Sequence, residues 1–263
     1  MGWRSAYQNT GANVSAIGFA SAYQNSGTAV TVMGYEAAYQ NKGSNFTGMG
    51  YQVGRYADPT NTVAMGYQAA FGNSGTRSTF TNGVMIGHQA GRSLTTGNNN
   101  TLLGYLAGYN MTTGTSNTVV GNFSSTGGIT TGSNNILIGS DVRPADGTAS
   151  NQMNIGNLLY ATGLGVGATN ATGGRVGIAT SSPAATLQVS GSFIVSTSAQ
   201  TTTPTLWVGT NGNVGIGTDT PTAKLSVIAN DNNQLRVGLS PTSSTLLYTT
   251  ELAPFSTGHS GMT

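Results

Sequence analysis

Acid–base and metal chemistry has few residues to draw on in this sequence. Its 263 residues hold seven carboxylates (Glu36, Asp58, Asp141, Asp146, Asp219, Asp231 and Glu251), two histidines (His88 and His259) and no cysteine. Cleavage of a glycosidic bond needs two carboxylates facing one bond, and only Asp141 and Asp146 are near each other in sequence. Their stretch, DVRPADG at 141–147, reads as a turn with Arg143 as a local partner. His88 falls in an aromatic register and His259 in a polar tail, which supports neither a zinc site nor a catalytic triad. The calcium-binding GGxGxD repeat is missing, because Gly127-Gly128 is followed by Ile-Thr. Strings such as GLGVG at 163–167 lack the strand-to-helix context of a nucleotide fingerprint and read as turns. The expectation is a chain that is not an enzyme, with no catalytic, metal or cofactor-binding residues.

What the sequence does repeat is tyrosine. SAYQNTG at 5–11, SAYQNSG at 21–27 and AAYQNKG at 37–43 place Tyr7, Tyr23 and Tyr39 sixteen residues apart. The same register continues through Arg55, Phe71, Arg92 and Tyr109, and a second register holds Trp3, Phe19, Tyr35, Tyr51, Tyr67, His88 and Tyr105. Stacked at the roughly 4.7–4.8 Å spacing of paired strands, such positions form ladders of offset rings. Arg55 and Arg92 interrupt the first ladder with a group that lies flat over an aromatic face. Aromatic rows beside Gln8-Asn9, Gln24-Asn25 and Gln40-Asn41 are the kind of surface that holds sugar rings. The same rows also serve to pack an edge of the fold or a subunit contact. Tyr7, Tyr23, Tyr39, Phe71 and Tyr109 are therefore candidate glycan contacts. Trp3, Phe19, Tyr35, Tyr51, Tyr67, His88 and Tyr105 form a structural ladder.

The element that must position both ladders is set by a glycine. A hydrophobic residue followed by Gly recurs at Gly2, Gly18, Gly34, Gly50, Gly66, Gly87, Gly104, Gly121, Gly139 and Gly156, at spacings of 16, 16, 16, 16, 21, 17, 17, 18 and 17. A fixed period of this size marks a solenoid whose repeats stack because none buries a face alone. Sixteen residues at about 3.3 Å each span a perimeter of roughly 50 Å, enough for two short strands and two turns. Gly, Asn and Thr are poor helix formers, so the expected fold is all-β, a parallel β-roll of about nine coils of 16–18 residues. Corners such as Asn98-Asn99-Asn100 supply left-handed backbone. The 21-residue interval reads as a coil with TRSTFTNG, 76–83, extruded as a loop. Gly18, Gly34, Gly50 and Gly66 are expected where a side chain would meet a neighbour.

Strand alternation bears on assembly. In 62–67, Val63, Met65 and Tyr67 share one face and Thr62, Ala64 and Gly66 the other; in 15–19, Ile17 and Phe19 oppose Val14, Ala16 and Gly18. Both faces are apolar or small, which argues that both are covered. A thin roll has one interior and buries little surface alone, so other copies of the chain are expected on the second face, in a homo-oligomer whose number the alternation alone does not fix, with a trimer as the leading case. Charged residues make up 6% of the chain, against roughly 25% in an ordinary soluble domain. The net charge of +2 comes without any basic cluster, so nucleic acid is not an expected partner. No apolar run approaches the roughly 18 residues of a membrane helix, so membrane insertion is not expected. The start, MGWRSAYQNTG, lacks the hydrophobic core of a signal peptide, which points to another export route or to a piece of a longer protein. The composition suits an extracellular location, on a virion fibre or a cell surface.

After Gly156 a second unit takes over. GRVGIATSSPAATLQVSG at 174–191 matches GNVGIGTDTPTAKLSVIA at 212–229, offset by 38 residues. Each reads as strand, turn at Pro183 or Pro221, then strand at 187–189 or 225–228. Further strands are expected at 193–195, 206–208, 235–239 and 246–249, with a polar connector, STSAQTTT, at 196–203. The expected organisation is a roll over 1–160 and a β-rich neck or shaft over 161–263.

The motifs NTVAMGYQAAFGNSG (61–75) and NNTLLGYLAGYNMTTGTSNTVVG (99–121) resemble head repeats of YadA-like trimeric autotransporter adhesins and the related repeats of phage tail-fibre and bacterial surface-fibre proteins. VGIGTDTPTAKLSV at 214–227 is similar to the unit that precedes an intramolecular endosialidase-type chaperone domain in many such fibres. The resemblance covers about 230 residues and implies a left-handed parallel β-roll and a homotrimeric fibre. It also implies a role in attachment to, or spacing from, a surface, with a surface glycan or host-cell receptor and further fibre segments as partners. The chain ends at SGMT without a chaperone domain or membrane anchor and begins mid-repeat, as an excerpt of a longer fibre would. Two other functions stand beside this one. A tailspike-type enzyme would cleave polysaccharide; a monomeric repeat-surface binding protein would carry regular Thr-x-Thr rows, and Thr31, Thr47, Thr62 and Thr101 hold no single register.

Overall fold

A computed structural model describes residues 2–73, 75, 77–123, 125–165, 174–195 and 205–228, and the backbone alone of 237–240 and 243–245. The connector at 196–203, the strand expected at 246–249, Met1, Asp231, Glu251 and His259 lie outside the described residues, as do residues 235–236 of the strand expected at 235–239. The described chain is all-β, with no helix. It falls into two compact units, Met1–Ser190 and Gly191–Thr263.

The first unit is a β-solenoid of about nine turns. Its strands are β1 (Val14–Ile17), β2 (Val30–Met33), β3 (Phe46–Met49), β4 (Thr62–Met65), β5 (Val84–Ile86), β6 (Thr101–Leu103), β7 (Thr118–Val120), β8 (Ile136–Ile138) and β9 (Gln152–Ile155). They pair in parallel, each with the next, so that Val14, Val30, Phe46 and Thr62 overlie one another. Inward-pointing Val30 and Phe46 stack in one buried file, and Val32, Met85, Leu102, Val119 and Leu137 belong to a second, two residues further along the strand. Ala22, Ala38, Ala70, Ala90 and Ala107 are buried with them in one core. Small residues make room for large ones within a coil. A Cβ on Gly54 would stand 2.9 Å from the Phe46 ring, and one on Gly108 2.8 Å from Leu102.

Each coil carries one strand, not the two expected. The opposite wall is a run of turns in which alternate residues are left-handed, as at Ala20, Ala22 and Gln24 with φ of 49°, 50° and 50°. Left-handed backbone costs a non-glycine residue about 1–2 kcal/mol. Here its N–H groups tie the coils together: Ala20 donates to Trp3 O and Gln24 to Tyr7 O in the coil before, and Ala22 to Ala37 O in the coil after. The strands also end one residue before the repeat glycine, so Phe19 and Tyr67 stand past a corner instead of on the strand. At that corner Gly34 has φ of 141°, and a Cβ there would lie 2.0 Å from the Gly50 carbonyl oxygen. The neighbour that forbids a side chain is thus the next coil of the same chain.

The long interval is resolved more sharply than the sequence suggested. Tyr56 bridges Gly72 and Ala57 bridges Ser78, which confines the insertion to residues 73–77. Phe80, expected in the loop, is fully buried in the coil. Arg77 closes the insertion by donating to both carboxylate oxygens of Asp58 and, at 3.0 Å, to Ala57 O.

Asn25, Asn41, Asn100, Asn117 and Asn135, buried inside the roll, are bonded coil to coil, as buried amides require. Asn41 Nδ2 donates to Asn25 Oδ1 at 2.9 Å, and Asn25 Nδ2 to Asn9 Oδ1 at 2.8 Å. Later coils use a different linkage, in which the Asn117 N–H donates to Asn100 Oδ1, Asn135 N–H to Asn117 Oδ1 and Gln152 N–H to Asn135 Oδ1.

After β9 the chain reverses. β10 (Leu159–Thr162) pairs antiparallel with β9 and with β11 (Arg175–Ile178), and β11 pairs parallel with β12 (Leu187–Val189). The sheet itself runs on through this reversal to β12, and the first compact unit extends to Ser190. In the second unit β13 (Phe193–Val195), β14 (Leu206–Val208), β15 (Val214–Ile216) and β16 (Leu225–Val227) follow the same scheme, antiparallel, antiparallel, parallel. The likeness reaches side chains. Tyr160 lies opposite Gly177 and Trp207 opposite Gly215; Arg175 donates to Pro183 O at 3.1 Å and Asn213 to Pro221 O at 3.2 Å. A short pair, β17 (Val237–Ser240) and β18 (Ser243–Thr245), completes the described backbone.

Replacing Gly34 by Val adds backbone strain of about 1–3 kcal/mol to a clash with the Gly50 carbonyl. Calorimetry should show the unfolding midpoint lowered by roughly 5 °C or more. An equally heat-stable Gly34→Val protein would refute this account of the corner.

Candidate functional site

The outer surface of the roll carries four adjacent files. On the strands, Ile17, Met33, Met49, Met65, Ile86, Leu103, Val120, Ile138 and Ile155 point outward just before each repeat glycine. Ile17 is 55% exposed, Met49 47% and Ile155 37%. Past the corner come Trp3, Phe19, Tyr35, Tyr51, Tyr67, His88 and Tyr105. Their centroids lie 5.0–5.2 Å apart from one coil to the next, with ring planes 5–9° apart from Phe19 to His88. Both files are large, apolar and open to solvent in a single chain.

Beyond a file of amides lies the second aromatic register. Glu36, Gln52, Gln68 and Gln89 are linked in sequence, Gln52 Nε2 donating to Glu36 at 2.8 Å, Gln68 to Gln52 at 2.9 Å and Gln89 to Gln68 at 3.1 Å. Tyr7, Tyr23 and Tyr39 stack at 5.6 and 4.8 Å. Arg55 then takes the place of a ring, its guanidinium 5.4 Å from the Tyr39 centroid and 4.5 Å from Tyr56. Its Nε lies 2.7 Å from a Glu36 carboxylate oxygen. Phe71 meets Tyr56 edge-on at 5.0 Å, and Arg92 lies between Phe71 and Tyr109 at 5.2 and 5.7 Å. The fold thus brings together Tyr7, Tyr23 and Tyr39, and separately Phe71 and Tyr109 around Arg92.

This arrangement limits the chemistry. In a stacked ladder each ring gives its faces to its neighbours and shows the outside its edge and its hydroxyl. A sugar ring laid flat on Tyr23 would have to displace Tyr7 or Tyr39, so the second register offers hydrogen bonds from phenol and amide edges. Gln24 Nε2 already donates to Gln8 and Gln40 Nε2 to Gln24, both at 2.8 Å. The carboxylates have structural partners: Glu36 with Arg55, Asp58 with Arg77 and Asp141 with Arg143. Asp146 caps its own turn through the Thr148 N–H and hydroxyl, which hold its carboxyl below the usual range. Among the described residues no three His, Cys, Asp or Glu side chains converge as a metal cluster.

The sequence reasoning missed the Glu36–Gln89 amide file, the Tyr56 contacts and the Asp58–Arg77 clasp. The amide file was visible as a Gln two residues past Gly50, Gly66 and Gly87; the other two depend on the insertion and had no periodic signal.

Fold and surface define a class, a parallel β-solenoid with one apolar and aromatic seam left open along its length. No family model, curated protein or solved structure matches the chain.

Burial, then the neighbouring Tyr23 and Glu36, raise the ionisation of Tyr39 above its ordinary 10.0. The folded state therefore holds a proton that the unfolded chain releases, so this contribution to stability is intact below pH 10 and is lost as pH rises through the raised value. Phenolate absorbance in the wild type and in Tyr39→Phe should show one late-ionising tyrosine missing from the variant. Identical titration curves would contradict the shift.

Proposed function

We propose that the chain is a structural and adhesive segment of an extracellular fibre, on a virion or a cell surface, in which identical chains associate side by side along the open seam as a homotrimer. The observation that carries this is the seam itself. An aromatic side chain presents about 150–250 Å², so at 38–63% exposure of its largest members the two outer files together leave on the order of 1,000 Å² of apolar surface. That exceeds the roughly 300–600 Å² patch of an ordinary monomer and matches the roughly 800 Å² per partner of a stable interface. A seam that repeats once per coil is met in register over nine coils by a surface with the same repeat, which a second copy of this chain supplies. The resemblance to trimeric adhesin heads and tail-fibre repeats points the same way, and the two β14–β15–β16-like units suit a neck or shaft.

Adhesion to a surface glycan or host-cell receptor belongs to the same proposal, through the hydroxyl and amide edges of Tyr7, Tyr23 and Tyr39 and the Phe71–Arg92–Tyr109 cluster. The role is non-catalytic.

Light scattering on the purified chain should give close to three times 26.6 kDa; a mass near 26.6 kDa would sink the assembly. Replacing Tyr7, Tyr23 and Tyr39 together by Ala should abolish binding on a glycan array while the circular dichroism spectrum stays that of the wild type. Equal array signal from the triple variant would reject those residues as the contact.

A further inference from the structure

The open seam does not run straight up the roll. Three outward columns flank each repeat glycine: one three residues before it, one immediately before it and one immediately after. The middle column is aliphatic from Ile17 to Ile155. The outer two exchange character along the chain. In β1–β3 the first column is polar, Ser15, Thr31 and Thr47, and the third is aromatic, Phe19, Tyr35 and Tyr51. In β7–β9 the third column is polar, Asn122, Ser140 and Asn157, and the first, still polar at Thr118 in β7, becomes apolar at Ile136 in β8 and Met153 in β9. Between these ends the first column is apolar at Val63 and Val84, the latter 38% exposed, and polar again at Thr101 and Thr118, so the change is complete at Ile136. Parallel pairing keeps each column in register through these strands, Thr47 over Val63, Val84 over Thr101 and Thr118 over Ile136. The drift is therefore written in side chains and is not a slip of register.

We infer that a second copy covers the middle and third columns over the early coils and the middle and first columns over the late ones, so that the line of contact crosses from the corner onto the strand wall. This rests on the side-by-side association proposed above and adds to it where the partner sits at each height. The seam's centre moves by one column, two residues or roughly 7 Å, over eight coil steps of about 4.8 Å, a slant of about 10° relative to the columns. In helices a hydrophobic pattern that drifts against the backbone repeat makes partners wind about one another. The same geometry applies to two rolls whose apolar stripe is oblique, since burying it at both ends requires the partners to cross at a small angle.

The chain has no cysteine, so single thiols report local cover without background. Maleimide labelling of assembled Thr47→Cys, Tyr51→Cys, Ile136→Cys and Ser140→Cys proteins, each referred to its own rate in urea, reads the cover at two heights. Position 51 should label at least about tenfold more slowly than 47, and 136 at least about tenfold more slowly than 140. Thr31→Cys and Tyr35→Cys serve as a second early pair if Tyr51→Cys does not assemble. The same column protected at both heights in a protein of multimeric mass means a straight contact line and overturns the slant while leaving the association standing. A monomeric mass, with all four thiols labelling quickly, overturns both.

Discussion

One constraint governs this molecule: coils joined by backbone hydrogen bonds at a single rise place like residue over like residue. Val14, Val30 and Phe46 overlie because their strands pair without a slip, and every other position in the coil is then obliged to stack on its counterpart. Side chains survive in such files only where they gain from the company of their own kind. Aromatic rings, amides that donate up and accept down, and aliphatic chains do so. Carboxylates and ammonium groups do not, since like charges at this spacing repel. The 6% charged fraction follows from the geometry as much as from the habitat, and the single acid in the amide file, Glu36, is the one that holds Arg55.

The same rule explains the division of labour around the coil. One wall is ordinary β-strand and carries the large core residues. The other is a run of alternating left- and right-handed turns, costly for Ala and Gln, yet left-handed N–H groups such as those of Ala20, Ala22 and Gln24 reach a carbonyl one coil away. Small residues on that wall keep the roll thin, so the interior is narrow and the outside is large relative to it. A fold with so little inside leaves much apolar surface outside, and the open seam is where that surplus lies.

Much of this was legible because periodicity is a strong signal. The repeat glycines gave coil number and register, and the two aromatic registers gave ladders whose rings the structure spaces at about one coil rise. The second expected strand was not there because Ala, Tyr and Gln carry no sequence mark of left-handed backbone; only the inter-coil bonds sustain it. The insertion was misplaced for a related reason. TFTNG looks like loop, but Phe80 is core and Thr81 still pairs with Thr60, so the extra residues precede it. The surface was the least legible part: composition named the files, yet which ring faces stay free depends on stacking that no single position reveals.

The insertion at residues 73–77 has a consequence of its own. The sequence holds five additional residues between Gly72 and Ser78, and the stack closes across them so completely that Gly66 and Gly87 still meet as neighbours. The coil is thus a place where the chain lengthens while the pairing on either side is kept, with the Asp58–Arg77 ion pair at the end of the added residues. A foreign peptide grafted between Gly72 and Ser78 would therefore leave the β4–β5 pairing of the roll in place.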